Sequence, residues 1–220
     1  MDSVGRAGRV IGVLIIIALI DAVVMKVLQA PYWDAGGFLV NAAPHSSRIA
    51  LSGVLALVVE ILWFGIALTA FATFYERAPR MALSFVALAT VVVAAAAAEL
   101  ATVISLISVS EAYAKGSPIE REQLQAVRVI ASSHRNGTFI VARLFDGAAA
   151  CFLYAALLRL ALVPRWLAGL GLIAAFLALS GIVVTLFGLR FIAPLLAPLV
   201  VMHLILAGWL IAKGFRNAPR

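Results

Sequence analysis

The sequence predicts an all-α, polytopic membrane protein: one transmembrane domain over residues 1–220, built as a bundle of six helices with both termini in the cytoplasm. Hydrophobic residues make up 65% of the chain, charged residues only 12%, and the mean hydropathy is +1.11. A soluble domain has roughly 25% charged residues. The apolar residues also form long uninterrupted runs, and most Lys and Arg residues lie between these runs. These observations exclude a water-soluble fold.

Each apolar run is long enough to cross a bilayer as a helix. A helix rises about 1.5 Å per residue and the hydrocarbon core is about 30 Å thick, so one crossing needs about 20 apolar residues. Open strands would leave edge amides unsatisfied in lipid, and the runs lack the alternation of barrel strands. Pro164 and Pro194 suit the first turns of the last two helices. The predicted spans cover residues 10–28, 49–75, 81–107, 139–158, 166–187 and 194–212.

The distribution of basic residues predicts the orientation. Nine Lys and Arg residues fall on the side of the termini and short connections, and six fall on the other side. Basic residues favour the cytoplasmic side, so both termini are predicted to lie in the cytoplasm of a bacterial cell and the longer connections outside. The first set is Arg6, Arg9, Arg77, Arg80, Arg159, Arg165, Lys213, Arg216 and Arg220; the second is Arg48, Lys115, Arg121, Arg128, Arg135 and Arg190.

Other features limit the class of partner. The net charge is +7, but no basic stripe is interleaved with aromatic residues, so the lipid bilayer is the expected partner and nucleic acid is not. Cys151 is the single cysteine, which excludes a disulfide framework. Residues 28–30 before Pro31 form a poor cleavage site, so the first apolar run is interpreted as a retained span and not as a signal peptide.

The outer connection before span four contains a helix signal of its own. Ser117 and Glu120 have capping-box spacing, with Pro118 at the first helical position. We therefore predict an amphipathic outer helix over residues 118–135, with a break at Asn136-Gly137 before the chain enters the membrane.

Two stretches resemble a bacterial multi-pass family known as domain of unknown function four-three-eight-six. Residues 162–167 (LVPRWL), followed by Gly169 and Gly171, are similar to its conserved connection to span five, and residues 206–215 (LAGWLIAKGF) are similar to its closing signature. Residues 9–12 (RVIG) and the spacing of the spans also fit. The resemblance implies the six-span fold and a membrane location, and it implies no activity.

The sequence departs from the family pattern at a polar position. Members of the family usually carry Glu six residues before the closing Trp, and here His203 stands six residues before Trp209. An ionisable side chain is kept, but its chemistry changes. The Arg and Glu expected in span three are also not found within residues 88–96.

Six ionisable residues within the spans are the candidates for function, because a charge near the bilayer centre costs about 2.5 to 3.5 kcal/mol. Four of them lie about 14 to 18 Å from a span boundary, near the midplane. Glu99 lies closer to the outer edge, and Lys26 is close enough to a helix end to reach the headgroups. The four central residues are Asp21, Glu60, Asp146 and His203, and the sixth candidate is Arg143.

From these depths we predict a polar pocket that opens outward. Asp21, Glu60, Asp146 and His203 form it, Arg143 lies at its rim, and His134, Arg135 and Asn136 lie near its mouth. Arg143 and Asp146, three residues apart, could also form a simple neutral pair. The remaining acids are then protonated, paired with His203, or bound to a cation. Alternatively, each polar residue is a separate contact between helices.

Three function classes remain open. The first is binding or movement of a small solute, a proton or a cation at the pocket. The second is a structural or partner-binding membrane protein without a ligand. The third is an intramembrane metal-dependent hydrolase, but His45, His134 and His203 lack metal-ligand spacing and no nucleophile motif occurs. We predict no catalytic residue and no cofactor, and the sequence leaves metal binding, the ligand and the oligomeric state open.

Overall fold

The computed structural model describes residues 3–30, 37–187 and 193–216. Within these ranges the regular elements are helices, and no strand occurs. The helices are α1 (Ser3–Leu28), α2 (Gly37–Asn41), α3 (Ser46–Tyr75), α4 (Pro79–Lys115), α5 (Pro118–Arg159), α6 (Arg165–Leu186), a 3-10 helix (Ala193–Leu196) and α7 (Ala197–Lys213). Arg190 and Arg220, which we used to predict the orientation, lie outside the described residues.

The six-span prediction is confirmed in the described part of the chain. Six helices there are long and apolar enough to cross a membrane: α1, α3, α4, α5, α6, and the segment Pro194–Lys213, which joins the 3-10 turn to α7. The chain is therefore an all-α, multi-pass membrane protein. Many large apolar side chains are exposed, such as Ile20 at 60% and Ile173 at 58%, as expected where a helix faces lipid instead of a protein core.

Helices α4 and α5 are much longer than a single crossing requires. At about 1.5 Å per residue, they measure about 55 Å and 63 Å, against a hydrocarbon core of about 30 Å. The capping box at the start of α5 is confirmed: the Ser117 amide donates to Glu120 Oε2 at 2.7 Å, and the Glu120 amide donates to Ser117 Oγ at 3.5 Å. The mostly polar composition of residues 118–138 is typical of a helix segment outside the hydrocarbon.

The predicted break at Asn136-Gly137 is wrong, because α5 runs without interruption from Pro118 to Arg159. A single glycine inside a helix costs only about 1 kcal/mol relative to alanine. Here the helix is held on both sides of the glycine. Arg135 forms an ion pair with Glu99, and the Thr138 hydroxyl donates to the His134 carbonyl at 3.0 Å. The outer amphipathic helix and span four are therefore one element.

The chain divides into two compact units. The first contains α1 up to Ala18, Glu60–Val93, and the chain from Ala142 onward; the second contains Leu19–Val59 and Ala94–Val141. The single domain over residues 1–220 stays a prediction.

In the first unit, the start of α1 packs closely against the end of α7 through glycines. A Cβ added to Gly8 would overlap the backbone nitrogen of Phe215, and one added to Gly214 would lie 2.6 Å from the Gly5 carbonyl oxygen. Gly214 ends α7 with φ +67°, a conformation that favours glycine. These contacts give a packing role to part of the closing signature.

The second unit contains a short helix that we did not predict, α2, packed against α4. Its core contains Ala42, Ile49, Val103 and Ile107. The side chain of the buried Ser110 on α4 binds the backbone in and just after α2. Its hydroxyl donates to the Leu39 carbonyl at 2.8 Å and accepts from the Ala43 amide at 2.9 Å. Polar backbone groups of the connection are thereby satisfied without water.

Candidate functional site

An ion-pair triad in the first unit links α3 to α5. Arg143 donates through Nη1 to Asp146 Oδ2 at 2.9 Å, and through Nη2 to Glu60 Oε1. The Glu60 side chain is only 4% exposed, whereas Arg143 is 26% and Asp146 36% exposed. The contact between Arg143 and Asp146 that we predicted is present, but Arg143 also contacts a second carboxylate, that of Glu60. Two carboxylates share one guanidinium, so the triad has one excess negative charge when all three groups are ionised.

His203 on α7 lies between two aromatic rings. Its ring centroid is 5.7 Å from that of Tyr154 with the planes 7° apart, and 4.7 Å from that of Trp63 with the planes 47° apart. His203 is 8% exposed and Tyr154 is fully buried. Within the described part of the chain, neither His203 Nε2 nor the Tyr154 hydroxyl has a hydrogen-bond partner. Buried polar atoms of this kind are uncommon and are satisfied most simply by water or a ligand.

Glu60, Asp146 and His203 line one small cavity. The volume of this cavity is about 20 Å³, which is room for about one water molecule. The other lining residues are aromatic or aliphatic: Trp63, Phe85, Ala89, Val92, Ala149, Ala150 and Leu153. Helix α4 therefore contributes no titratable side chain to this cavity.

Helix periodicity explains how the sequence builds this wall. Glu60 and Trp63 are three residues apart, so both lie on one face of α3. Asp146, Ala150 and Leu153 follow a spacing of four and three residues on α5, again on one face. The gap exists because alanines, and not larger side chains, stand beside the acids. Spacing alone would have paired Glu60 with Trp63, but nothing in the sequence pairs either residue with α7.

Gly171 on α6 supports the aromatic side of the cavity. A Cβ at this position would overlap Cε1 and Cδ1 of the Tyr154 ring and lie 2.6 Å from Cζ. The missing side chain lets the Tyr154 ring approach α6 closely, and the same ring stacks on His203. Gly171 belongs to a stretch that resembles the family, but the sequence predicts no role for it, because the partner that requires it, Tyr154, is 17 residues away along the chain.

Asp21 and the predicted mouth residues belong to the second unit. Asp21 is not among the residues that line the cavity; it is half-buried, and its Oδ2 has no hydrogen-bond partner within the described residues. Arg135 donates through Nη2 to Glu99 Oε1 at 2.9 Å, with 21% and 17% of the side chains exposed. Glu99 is the candidate that the sequence places closer to the outer edge of its span. His134 and Asn136 are exposed. The role predicted for these residues at a pocket mouth stays a prediction.

Residues 10–214 match the model of the family described as Domain of unknown function (DUF4386). The match covers most of the 220 residues, and it includes residues 162–167 and all but the last residue of 206–215, the stretches that carry the resemblance. Neither the curated proteins nor the solved structures gave a match.

Proposed function

We propose that this chain, which belongs to the DUF4386 family, binds a proton within the membrane at Glu60 and Asp146 and exchanges it with the water outside. The observation that carries the proposal is the sharing of Arg143 by these two carboxylates beside a water-sized cavity. Of the three ligands that the sequence left open, a small solute, a proton and a cation, we therefore propose the proton.

The charge balance supports a proton. An uncompensated charge inside a low-dielectric region costs several kcal/mol, because neither water nor a partner repays its lost hydration. With His203 neutral, the triad of Glu60, Arg143 and Asp146 carries one negative charge in excess. One proton removes it and leaves the other carboxylate paired with the guanidinium. The proton can reside on either acid, since Arg143 contacts both.

The size of the cavity argues against larger ligands. About 20 Å³ accommodates about one water molecule, whereas small-molecule pockets measure about 300 to 1,000 Å³. Multivalent cations need several oxygen or nitrogen ligands. Within the described ranges, no group of three or more His, Cys, Asp and Glu residues is arranged to hold a metal ion. The small volume of the cavity and the lack of a metal-ligand group among the described residues both favour a proton over a small molecule or a multivalent cation.

We assign His203 the role of a proton-transfer partner in this site. Its Nε2 is a buried nitrogen that can accept or donate a proton, and it lines the same cavity as both acids. In this proposal the transfer runs through a water molecule in the cavity. Among the residues that the structure describes, the titratable and charged side chains of the site are then Glu60 from α3, Arg143, Asp146 and Tyr154 from α5, and His203 from α7.

Infrared difference spectroscopy on the reconstituted protein tests the proposal, because a protonated carboxyl group absorbs separately from a carboxylate. We expect a carboxyl band that titrates with pH and is lost in the double variant Glu60→Gln, Asp146→Asn. Glu99→Gln is the matched control, since Glu99 is also paired with an arginine but lies in the second unit. A titrating band of equal size in the wild type and the double variant refutes the proposal.

A structural role is the second candidate, favoured by the way Arg143 connects α3 to α5. In that case Glu60→Gln lowers the thermal stability of the purified protein. In vesicles that contain the reconstituted protein and an entrapped pH-sensitive dye, the variant and the wild type then show the same proton permeability. Capture of a stoichiometric membrane partner would add support for it. The hydrolase alternative has no observation in its favour.

We propose further that the protein lies in the bacterial cytoplasmic membrane with both termini inside. The support is the basic composition of the helix ends at Arg77, Arg80, Arg159 and Arg165. In a Cys151→Ala background, a membrane-impermeant maleimide applied to intact cells should label Ala114→Cys, at the end of α4. It should not label Glu76→Cys, between α3 and α4. The reverse pattern inverts the orientation.

A further inference from the structure

A second, larger concavity lies on the surface of the first unit, between α4, α5 and α6. By the same measure as the first cavity, its volume is about 380 Å³, and its lining contains no charged side chain. Three lining residues, Ala148, Cys151 and Ala155, have helical spacing and lie on one face of α5. Three others, Leu172, Phe176 and Leu179, lie in the same way on one face of α6. Phe176 is 55% exposed. In a membrane-spanning unit, an apolar groove of this kind suits a hydrocarbon ligand such as a lipid acyl chain.

Arginines stand at one end of this groove. Arg159 follows Ala155 by four residues on α5, so it lies on the groove face one turn further along. Arg165 precedes Leu172 by seven residues, two turns earlier on the groove face of α6. Arg80 precedes Met81, which lines the groove on α4. All three arginines are exposed, and each lies within two residues of the end of its helix.

This end of the unit carries a strongly positive charge. The close packing of α1 against the end of α7, and the hydrogen bond from the Arg216 amide to the Leu162 carbonyl, bring these helix ends together. Within the described residues, eight basic side chains occur at these ends against one acid, Glu76. The eight are Arg6, Arg9, Arg77, Arg80, Arg159, Arg165, Lys213 and Arg216.

We propose that an anionic phospholipid binds here, with one acyl chain in the groove and its phosphate held by Arg80, Arg159 and Arg165. Guanidinium groups bind phosphate oxygens through paired N–H donors, and basic clusters at a helix end attract anionic headgroups. A zwitterionic lipid offers the same hydrocarbon but no net charge, so the arginines select against it. This site is independent of the proton site, since the two share no lining residue.

Native mass spectrometry of the detergent-purified full chain tests the proposal with two probes of equal acyl length, phosphatidylglycerol and phosphatidylcholine. We expect phosphatidylglycerol to bind more tightly. Each of Arg159→Gln and Arg165→Gln should weaken that binding about fivefold, because one basic residue near an anionic surface contributes about that factor. Arg6→Gln removes the same charge from the same end but away from the groove helices, and should change the affinity less than twofold.

The native Cys151 reports whether the acyl chain occupies the groove. It is the single cysteine of the chain, lines the groove and is partly exposed. Phosphatidylglycerol should slow its alkylation by an apolar maleimide, whereas inorganic phosphate at the same concentration should not. Equal binding of the two lipids, an Arg6→Gln effect as large as that of Arg159→Gln, or protection by inorganic phosphate alone would each overturn the proposal.

Discussion

Replacement of Gly171 by alanine tests whether the Tyr154 ring is fixed in place beside His203. The new Cβ would overlap two ring carbons of Tyr154 and lie 2.6 Å from a third. Tyr154 is fully buried and its ring stacks on that of His203, so a shift of the ring would also disturb the imidazole. Inserting a methyl group into a packed core costs about 1 to 3 kcal/mol, and this rigid site should lie at the upper end of that range.

The helix propensity of alanine partly offsets this cost. Alanine is favoured over glycine by about 1 kcal/mol inside a helix. The net destabilisation expected for Gly171→Ala is therefore about 2 kcal/mol, which corresponds to a melting temperature about 4 to 8 °C lower for a chain of this length. Gly169→Ala is the matched control on the same helix, because no atom lies within 4 Å of its added Cβ. It should leave the melting temperature unchanged or raise it by a few degrees.

Thermal unfolding in detergent, followed by circular dichroism, measures both variants. In a Tyr154→Leu background, Gly171→Ala should cost much less, because the smaller side chain removes the overlap. If Gly171→Ala is as stable as Gly169→Ala, or if Tyr154→Leu does not reduce its cost, Gly171 does not position the ring and the reasoning fails.

Three further stability predictions each have a control within the chain. Gly8→Ala should destabilise the protein by about 1 to 3 kcal/mol because its Cβ meets backbone at the end of α7, whereas Gly5→Ala, with open space around it, should not lower the melting temperature. Ser110→Ala should cost about 1 to 3 kcal/mol by leaving a buried amide and a carbonyl without their partner, and the exposed Ser105→Ala less than 0.5 kcal/mol, as judged by thermal unfolding. Ser117→Ala should speed hydrogen exchange in the first turn of α5 while leaving exchange in α6 unchanged.

The helices could be predicted from the sequence because a membrane span is a local property. About 20 apolar residues must form a helix in lipid whatever they contact, and each predicted span lies within one residue of, or inside, the corresponding helical segment. The interruption at Asn136-Gly137 was mispredicted because the pairing that holds this stretch, between Arg135 and Glu99, is 36 residues apart in sequence. The helix α2 was missed because the contacts that stabilise it come from Ser110 on α4.

The site could be predicted in part, for the same reason. Depth along a helix follows from counting residues, so Asp21, Glu60, Asp146 and His203 were predicted as a group, and three of these four line the same cavity. Direction around the helix relative to its neighbours does not follow from counting. Consequently, three features could be identified only from the structure. They are the contact between Glu60 and Arg143, the packing of the Trp63 and Tyr154 rings against His203, and the need for glycine at position 171.

Two arginine–carboxylate sites occur within the described residues, and they differ in the number of carboxylates for each arginine. In the second unit, Glu99 and Arg135 form a pair with one charge of each sign, and both are partly exposed. Such a pair is neutral at any pH at which both groups are ionised, so it has no charge reason to take up a proton. In the first unit, Glu60 and Asp146 share Arg143, and Glu60 is almost fully buried. With all three groups ionised, that arrangement carries one net negative charge, which one proton removes; this is why we propose proton binding at the triad and use the pair as its control.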